Sequence, residues 1–263
     1  MKELLDVANK YNFAIPAPNI QNELTARAVI QAAEKCNSPL IIDIAFPIHP
    51  DIEFLGRMTR KLAKESAVPI AINLDHGGSR WQELEKVREE VMPCIRAGFT
   101  SIMVDRSSLP YEENVKQVKY FTEIAHSLGV TVEAELGHVG DGEKYESKSD
   151  MMLTDPQEAK RFIEETGIDC LAVSIGTAHG QYKGTPHLDF DRLKEIKEIT
   201  GHFPLVLHGG SGTGDENLRK ASSMGINKVN IGTDLFKAAL HAVRTENLEG
   251  GKIYDIWDVI NDS

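Results

Sequence analysis

Three histidines in this 263-residue chain each lie beside glycine at the end of a short apolar run. They are His76 in NLDHGGS (73–79), His179 in SIGTAHGQYKG (174–184) and His208 in LVLHGGSGTG (205–214). Three imidazoles are what a catalytic zinc needs, because the fourth coordination position then stays open to substrate. Cobalt or iron would accept the same ligands. Asp75 directly precedes the first histidine. The set points to metal-assisted chemistry on an oxygen-rich substrate. His49, His126, His187, His202 and His241 lack this setting and read as ordinary core or surface residues. His138 falls in a long polar loop and is assigned neither way.

Something must bring these distant residues together. Eight β-rich runs alternate with helical patterns: 13–20, 39–45, 68–76, 101–106, 130–136, 170–175, 204–209 and 226–232. Between them, 23–36 and 111–129 read as helices. In the second, Val115, Val118, Phe121, Ile124, Ala125 and Leu128 recur at helical spacing, with Gly129 as the cap. Eight such units predict an α/β fold, a parallel (β/α)8 TIM barrel forming one domain over 1–263. An open doubly wound sheet would show fewer strands or a GxGxxG after the first. In a barrel the C-terminal strand ends converge on one face. Asn19, Asp75, His76, Asp105, Glu135, His179, His208 and Asn230 all fall at or just past such ends. Asp105 and Glu135 could orient the histidines or offer an alternative metal position. Glu133 shares a strand face with Glu135, so one of the two could be structural. Residues 137–155 (GHVGDGEKYESKSDMMLTD) are long for a βα loop and read as a mobile active-site lid or a disordered insertion.

HGGSGTG (208–214) and NIGTDL (230–235) each open a helix after a strand. Helix-start N–H groups beside glycine form an anion cradle, and the loops after strands 7 and 8 are where barrels hold phosphate. Gly209, Ser211 and Thr233 are the expected donors, joined by Gly180 and Lys183. The competing reading is glycine serving tight turns alone.

Composition narrows the field. The net charge of −11 argues against nucleic acid, though not against a small anionic substrate. Cys36, Cys94 and Cys170 are odd in number and set in apolar stretches, so buried free thiols in a reducing compartment are expected. The N-terminus has no signal-peptide pattern and no apolar run reaches membrane-span length, which predicts a cytoplasmic protein with no membrane partner.

The segments NLDHGGS, SIMVDRSSLPYEENV, VEAELGHVG, HGQYKGTPHLDF, PLVLHGGSGTG and KVNIGTDL, in this order over residues 1 to about 245, resemble the class II, zinc-dependent ketose-bisphosphate aldolases. That resemblance implies a lyase that reversibly cleaves a ketose (bis)phosphate into dihydroxyacetone phosphate and an aldehyde through a zinc-stabilised enediolate. His76, His179 and His208 would hold the zinc, with Asp105 and Glu135 near an alternative metal position or the ligand histidines. Asp75 would be the acid/base at the hydroxyl where the bond breaks. Glu143 would move the enediolate proton. Asn230, helped by Asn19, would steady the enediolate oxygen. Gly180, Lys183, Gly209, Ser211 and Thr233 would take the phosphate, with sodium or potassium nearby. A homodimer or homotetramer is implied as well.

The chain also departs from the family pattern. Gly232 stands where a polar side chain is common, Ala45 replaces an expected serine, and an arginine from the C-terminal segment, which some members offer, is not expected here. Arg106 follows Asp105, where a small or apolar residue is usual. The expectation is an acceptor aldehyde other than glyceraldehyde 3-phosphate, with Arg106 either recognising an anionic group on it or pairing with a surface carboxylate. Two other classes compete: a metal-dependent sugar-phosphate epimerase or isomerase, which would have no use for Asp75, and a non-catalytic aldolase-like subunit, which would be expected to have lost ligands.

Overall fold

A computed structural model describes residues 1–46, 49, 51–140 and 152–245. The chain begins with α1 (Lys2–Tyr11) and then alternates strand and helix. The order is β1 (Ile15–Pro18), α2 (Glu23–Lys35), β2 (Leu40–Ala45), α3 (Ile52–Glu65), β3 (Ile70–Gly77), α4 (Leu84–Ala97), β4 (Ser101–Val104) and α5 (Tyr111–Ser127). It continues through β5 (Thr131–Leu136), α6 (Pro156–Thr166), β6 (Cys170–Val173), α7 (Phe190–Ile199), β7 (Leu205–Leu207), α8 (Asp215–Ser223), β8 (Ile226–Ile231) and α9 (Thr233–Thr245). All eight expected strands are present, each shorter than or close to its apolar run. The strands pair in parallel in the order β1-β8-β7-β6-β5-β4-β3-β2. The ring closes through one parallel bridge, Asn19 to Asp43, where the Ile20 N–H donates to the Asp43 carbonyl at 3.1 Å. The fold is thus the (β/α)8 barrel.

Strand alternation sorts the side chains into two layers. On β5, Val132, Ala134 and Leu136 face outward into the main core with α5 Val118 and Phe121 and α6 Phe162. Glu133 and Glu135 alternate with them, facing the barrel axis. Leu5 and Ala8 of α1 plug the N-terminal end against Ile15, Ile41, Ala71, Met103 and Val206. Lys197 of α7 fastens that plug. Its buried Nζ donates to Asn9 Oδ1 at 2.7 Å, Phe203 O at 2.8 Å, Gly225 O at 2.9 Å and Asn227 Oδ1 at 3.1 Å.

Two expectations need correcting. The helical stripe of α5 ends at Ala125, because Leu128 lies past the helix and is exposed; Gly129 follows it with φ 71°, the left-handed turn that stops the helix. Cys94 and Cys170 are buried free thiols, but Cys36 is exposed, because it caps α2 on the solvent side just before the left-handed Asn37. Among the described residues, no helix is long and apolar enough to cross a membrane.

Candidate active site

β3 ends in an irregularity that aims two side chains at once. The register against β4 shifts between Leu74 and Gly77, and His76 takes φ 52°, a left-handed conformation that costs a non-glycine residue about 1–2 kcal/mol. A Cβ on Gly77 would come 2.6 Å from the Met103 carbonyl, so only glycine lets the bulge close on β4. With that twist, Asp75 and His76, neighbours in sequence, both reach the mouth of the barrel.

The three histidines meet there. Ring centroids of His76 and His179 lie 4.7 Å apart, those of His76 and His208 4.7 Å, and those of His179 and His208 5.6 Å. One nitrogen from each falls within 4.8 Å of the others. Carboxylates choose which nitrogen faces inward. Asp105 Oδ2 lies 2.7 Å from His76 Nδ1, which leaves His76 Nε2 free to converge. Glu133 Oε1 lies 3.0 Å from His208 Nε2, turning His208 Nδ1 inward to within 3.0 Å of His76 Nε2. His179 Nε2 is buried and has no partner among the described residues. An orphaned buried nitrogen facing two others is the donor set a divalent ion requires, so the residues fit a metal. Asp105 and Glu135 also form a second group with His76 that could hold an ion.

The titration of these rings follows from their surroundings. Burial and the neighbouring His76 and His208 push His179 down to about 3, keeping it neutral. Burial also lowers His208. Burial opposes charge on His76, but Asp75 and Asp105 overcome it and raise the ring to about 10. Burial, reinforced by the charge of Asp105, lifts Glu135 to about 8.

Asp75 is 5% exposed and held from two sides. Asn19 Nδ2 donates to its Oδ2 at 2.9 Å, and Asn230 Nδ2 donates to Oδ1 at 3.1 Å. Burial alone would raise its pKa, yet His76, His208, Lys228 and the Asn19 hydrogen bond prevail and hold the carboxyl well below its usual range. Oδ1 lies 3.9 Å from His76 Nε2.

Beside this centre is a cavity of about 290 Å³. Gly180, Lys183, Ser211 and Thr233 line it, as expected for an anion cradle, together with Tyr182, Asp234 and Lys237. Gly209 is absent from the lining. Its left-handed φ of 67° lets it pass against the Ala178 backbone, and its carbonyl accepts from Tyr182 Oη at 2.9 Å. These contacts shape the loop that runs beside the cavity.

Arg106 is the clear correction. It is fully buried and points away from the mouth, because strand alternation past β4 sends Asp105 inward and its neighbour outward. Its NH1 donates to the Gly78 carbonyl at 2.5 Å and the Trp81 carbonyl at 2.7 Å, and its Nε to Gln117 Oε1 at 2.9 Å. It is neither an acceptor-side group nor a surface ion-pair partner; it ties down the loop after β3. Glu143 lies outside the described residues, as does most of the expected lid.

Three ionisable residues escaped the reading of the sequence as a group. Lys228 Nζ lies 3.2 Å from Asp43 Oδ2 and 2.9 Å from Glu133 Oε2, all three fully buried within the barrel. Asn73 Nδ2 donates to Asp43 Oδ1 at 2.9 Å. Through Glu133 this network reaches His208. The available signal was a charged residue in the middle of each apolar run: LIIDIA, TVEAEL and INKVNI.

The chain is similar to known proteins. A family model described as fructose-bisphosphate aldolase class-II matches residues 1–262. A fructose-bisphosphate aldolase of Geobacillus stearothermophilus is 38% identical, aligned over 99% of this chain and 89% of its own length. A probable fructose-bisphosphate aldolase of Bacillus subtilis (strain 168) is 39% identical over 93% of this chain and 84% of its own. The crystal structure of the YdjI aldolase from Escherichia coli K12 superposes with a TM-score of 0.85 at 32% identity, covering 99% of this chain and 90% of that one.

Proposed function

The chain belongs to the class-II fructose-bisphosphate aldolase family and is a metal-dependent aldolase, a lyase acting on a phosphorylated sugar; from that premise we propose how its residues divide the work. His76, His179 and His208 hold the ion, for which zinc is our choice. The observation that carries this reading is the convergence of three imidazole nitrogens beside a buried, doubly held carboxylate. Bound there, a divalent ion supplies a Lewis acid for the ketone of a dihydroxyacetone-phosphate unit.

The chain's own groups do the rest. The ion-side cavity lined by Gly180, Lys183, Ser211 and Thr233 seats the C1 phosphate, which fixes the ketone end of the sugar. A sodium or potassium ion beside that phosphate belongs to the same proposal. Asp75, kept ionised by the surrounding positive charge, takes the proton from the C4 hydroxyl as the C3–C4 bond breaks. Asn19 and Asn230 orient its two oxygens. Asn230, whose amide lies against Asp75 at the end of β8, is also assigned to steady the oxygen that gains charge. Glu143 is assigned the remaining proton transfer on the strength of its sequence position alone. The acceptor aldehyde is proposed to differ from glyceraldehyde 3-phosphate. Ala45 pairs with Asp75 in register and offers no side-chain donor, and Gly232 offers none either, lying where an added Cβ would come 3.2 Å from Asn19 Oδ1. A cytoplasmic homodimer or homotetramer completes the proposal, with sedimentation as its check.

Stripping the purified protein with EDTA is expected to abolish cleavage of its ketose phosphate, and added zinc to restore it. Full activity after complete metal removal would sink the assignment. Comparing fructose 1,6-bisphosphate, tagatose 1,6-bisphosphate and monophosphate analogues tests the acceptor. High efficiency on the fructose compound would defeat the non-standard aldehyde.

A further inference from the structure

We propose that Arg80, clamped in the loop after β3, is the residue that recognises an anionic group on the acceptor aldehyde. This rests on the aldolase reading above and deepens it. The loop that carries Arg80 is unusually well anchored. The buried Glu90 of α4 accepts from the Gly78 N–H at 3.3 Å, from the Trp81 indole at 2.5 Å and from Arg80 Nε at 3.1 Å. The Arg80 guanidinium carbon lies 4.8 Å from the Phe46 ring centroid and 5.0 Å from that of Trp81. Aromatic stacking and one ion pair therefore fix the plane of the fork while its side chain stays 41% exposed. Among the described residues, neither terminal nitrogen of Arg80 has a hydrogen-bond partner.

Its place in the fold matters as much. Ala45 and Asp75 are paired in register, so Phe46 stands one residue past the level of the reactive carboxylate, just beyond the end of the adjacent strand β2. Arg80 sits over that ring. The phosphate cavity belongs to the loops after β6, β7 and β8, on the other side of Asp75 around the barrel. A ketose seated by its C1 phosphate and cut next to Asp75 must send its leaving half away from that cavity, toward β2 and β3. A planar, immobilised guanidinium with two free N–H pairs is suited to bidentate capture of an oxyanion, whether phosphate or carboxylate.

The test runs the enzyme in the synthetic direction. The holoenzyme and Arg80→Met are compared with dihydroxyacetone phosphate and three aldehydes: glyceraldehyde 3-phosphate, succinic semialdehyde and uncharged glyceraldehyde. The expected result is a fall of about ten- to a hundredfold in the preference for one anionic aldehyde over glyceraldehyde, expressed as a kcat/KM ratio and seated mainly in KM. Whichever anionic aldehyde shows the fall identifies phosphate or carboxylate as the target. Arg80→Lys, which keeps the charge but loses the fork, should recover only part of the preference and serves if the methionine variant folds poorly. Equal losses on charged and uncharged aldehydes would overturn the inference and make Arg80 a loop anchor. Exchange of the dihydroxyacetone-phosphate C3 proton with solvent by the wild-type holoenzyme tests the aldolase reading separately; its absence would remove that premise, whatever Arg80 does.

Discussion

Asp75 is bound by two amide groups and flanked by His76, so replacing it separates orientation from chemistry. Asp75→Asn keeps a side chain of the same shape and removes the proton acceptor. Cleavage should fall by roughly 10²–10⁴-fold, the usual worth of a positioned base. Proton exchange at dihydroxyacetone phosphate should persist, because enolisation does not use the C4 hydroxyl; an equal loss of both activities would mean that Asp75 also serves the donor half. Arg106 makes the opposite case. Its guanidinium is buried among carbonyls, so Arg106→Leu leaves the Gly78 and Trp81 carbonyls unpaired. The expected cost is about 3–5 kcal/mol in denaturant unfolding. At this scale the sequence was only partly readable. Histidines beside glycines at strand ends stood out because such residues rarely suit a core. The direction of Arg106 depends on where β4 stops, and its apolar run extends two residues past the last paired one.

At the scale of elements, the strands announced themselves by apolar runs, most of them bounded by glycine or proline. Helix starts were legible for the same local reason. Asn22 and Thr25 form a reciprocal capping box on α2, and Asp155 caps α6 ahead of Pro156. What local signals could not carry is partnership between strands. Asp43, Glu133 and Lys228 come from β2, β5 and β8, and only closure of the barrel brings them within ion-pair distance. Lys197 is a similar long-range tie, joining α7 to the α1 plug and the start of β8. Burial alone pulls its ammonium down to about 8. Lys197→Met leaves four oxygens without their donor and should lower unfolding stability by about 2–4 kcal/mol. Circular dichroism against urea reads this, and a change under 0.5 kcal/mol would show that the plug holds by apolar contact alone.

For the molecule as a whole, the metal centre couples strands from opposite sides of the ring. His76 follows from β3, His179 from the loop after β6 and His208 from the end of β7, so an ion held by all three binds the folded form far better than the unfolded chain. Zinc at a thousand times its dissociation constant should then add about 4 kcal/mol to stability. Thermal melting with and without EDTA measures it, and coincident curves would argue that the ion reaches fewer than three ligands.

The wall of the barrel has one seam, between β1 and β2, held by the bridge at Asn19 and Asp43. Asn19 is also one of the two amides that steer Asp75. The least cohesive joint of the enzyme and the aim of its proton acceptor thus share a residue. Gentle heating should loosen that joint first, so turnover should be lost several degrees before the helices melt and should return on cooling.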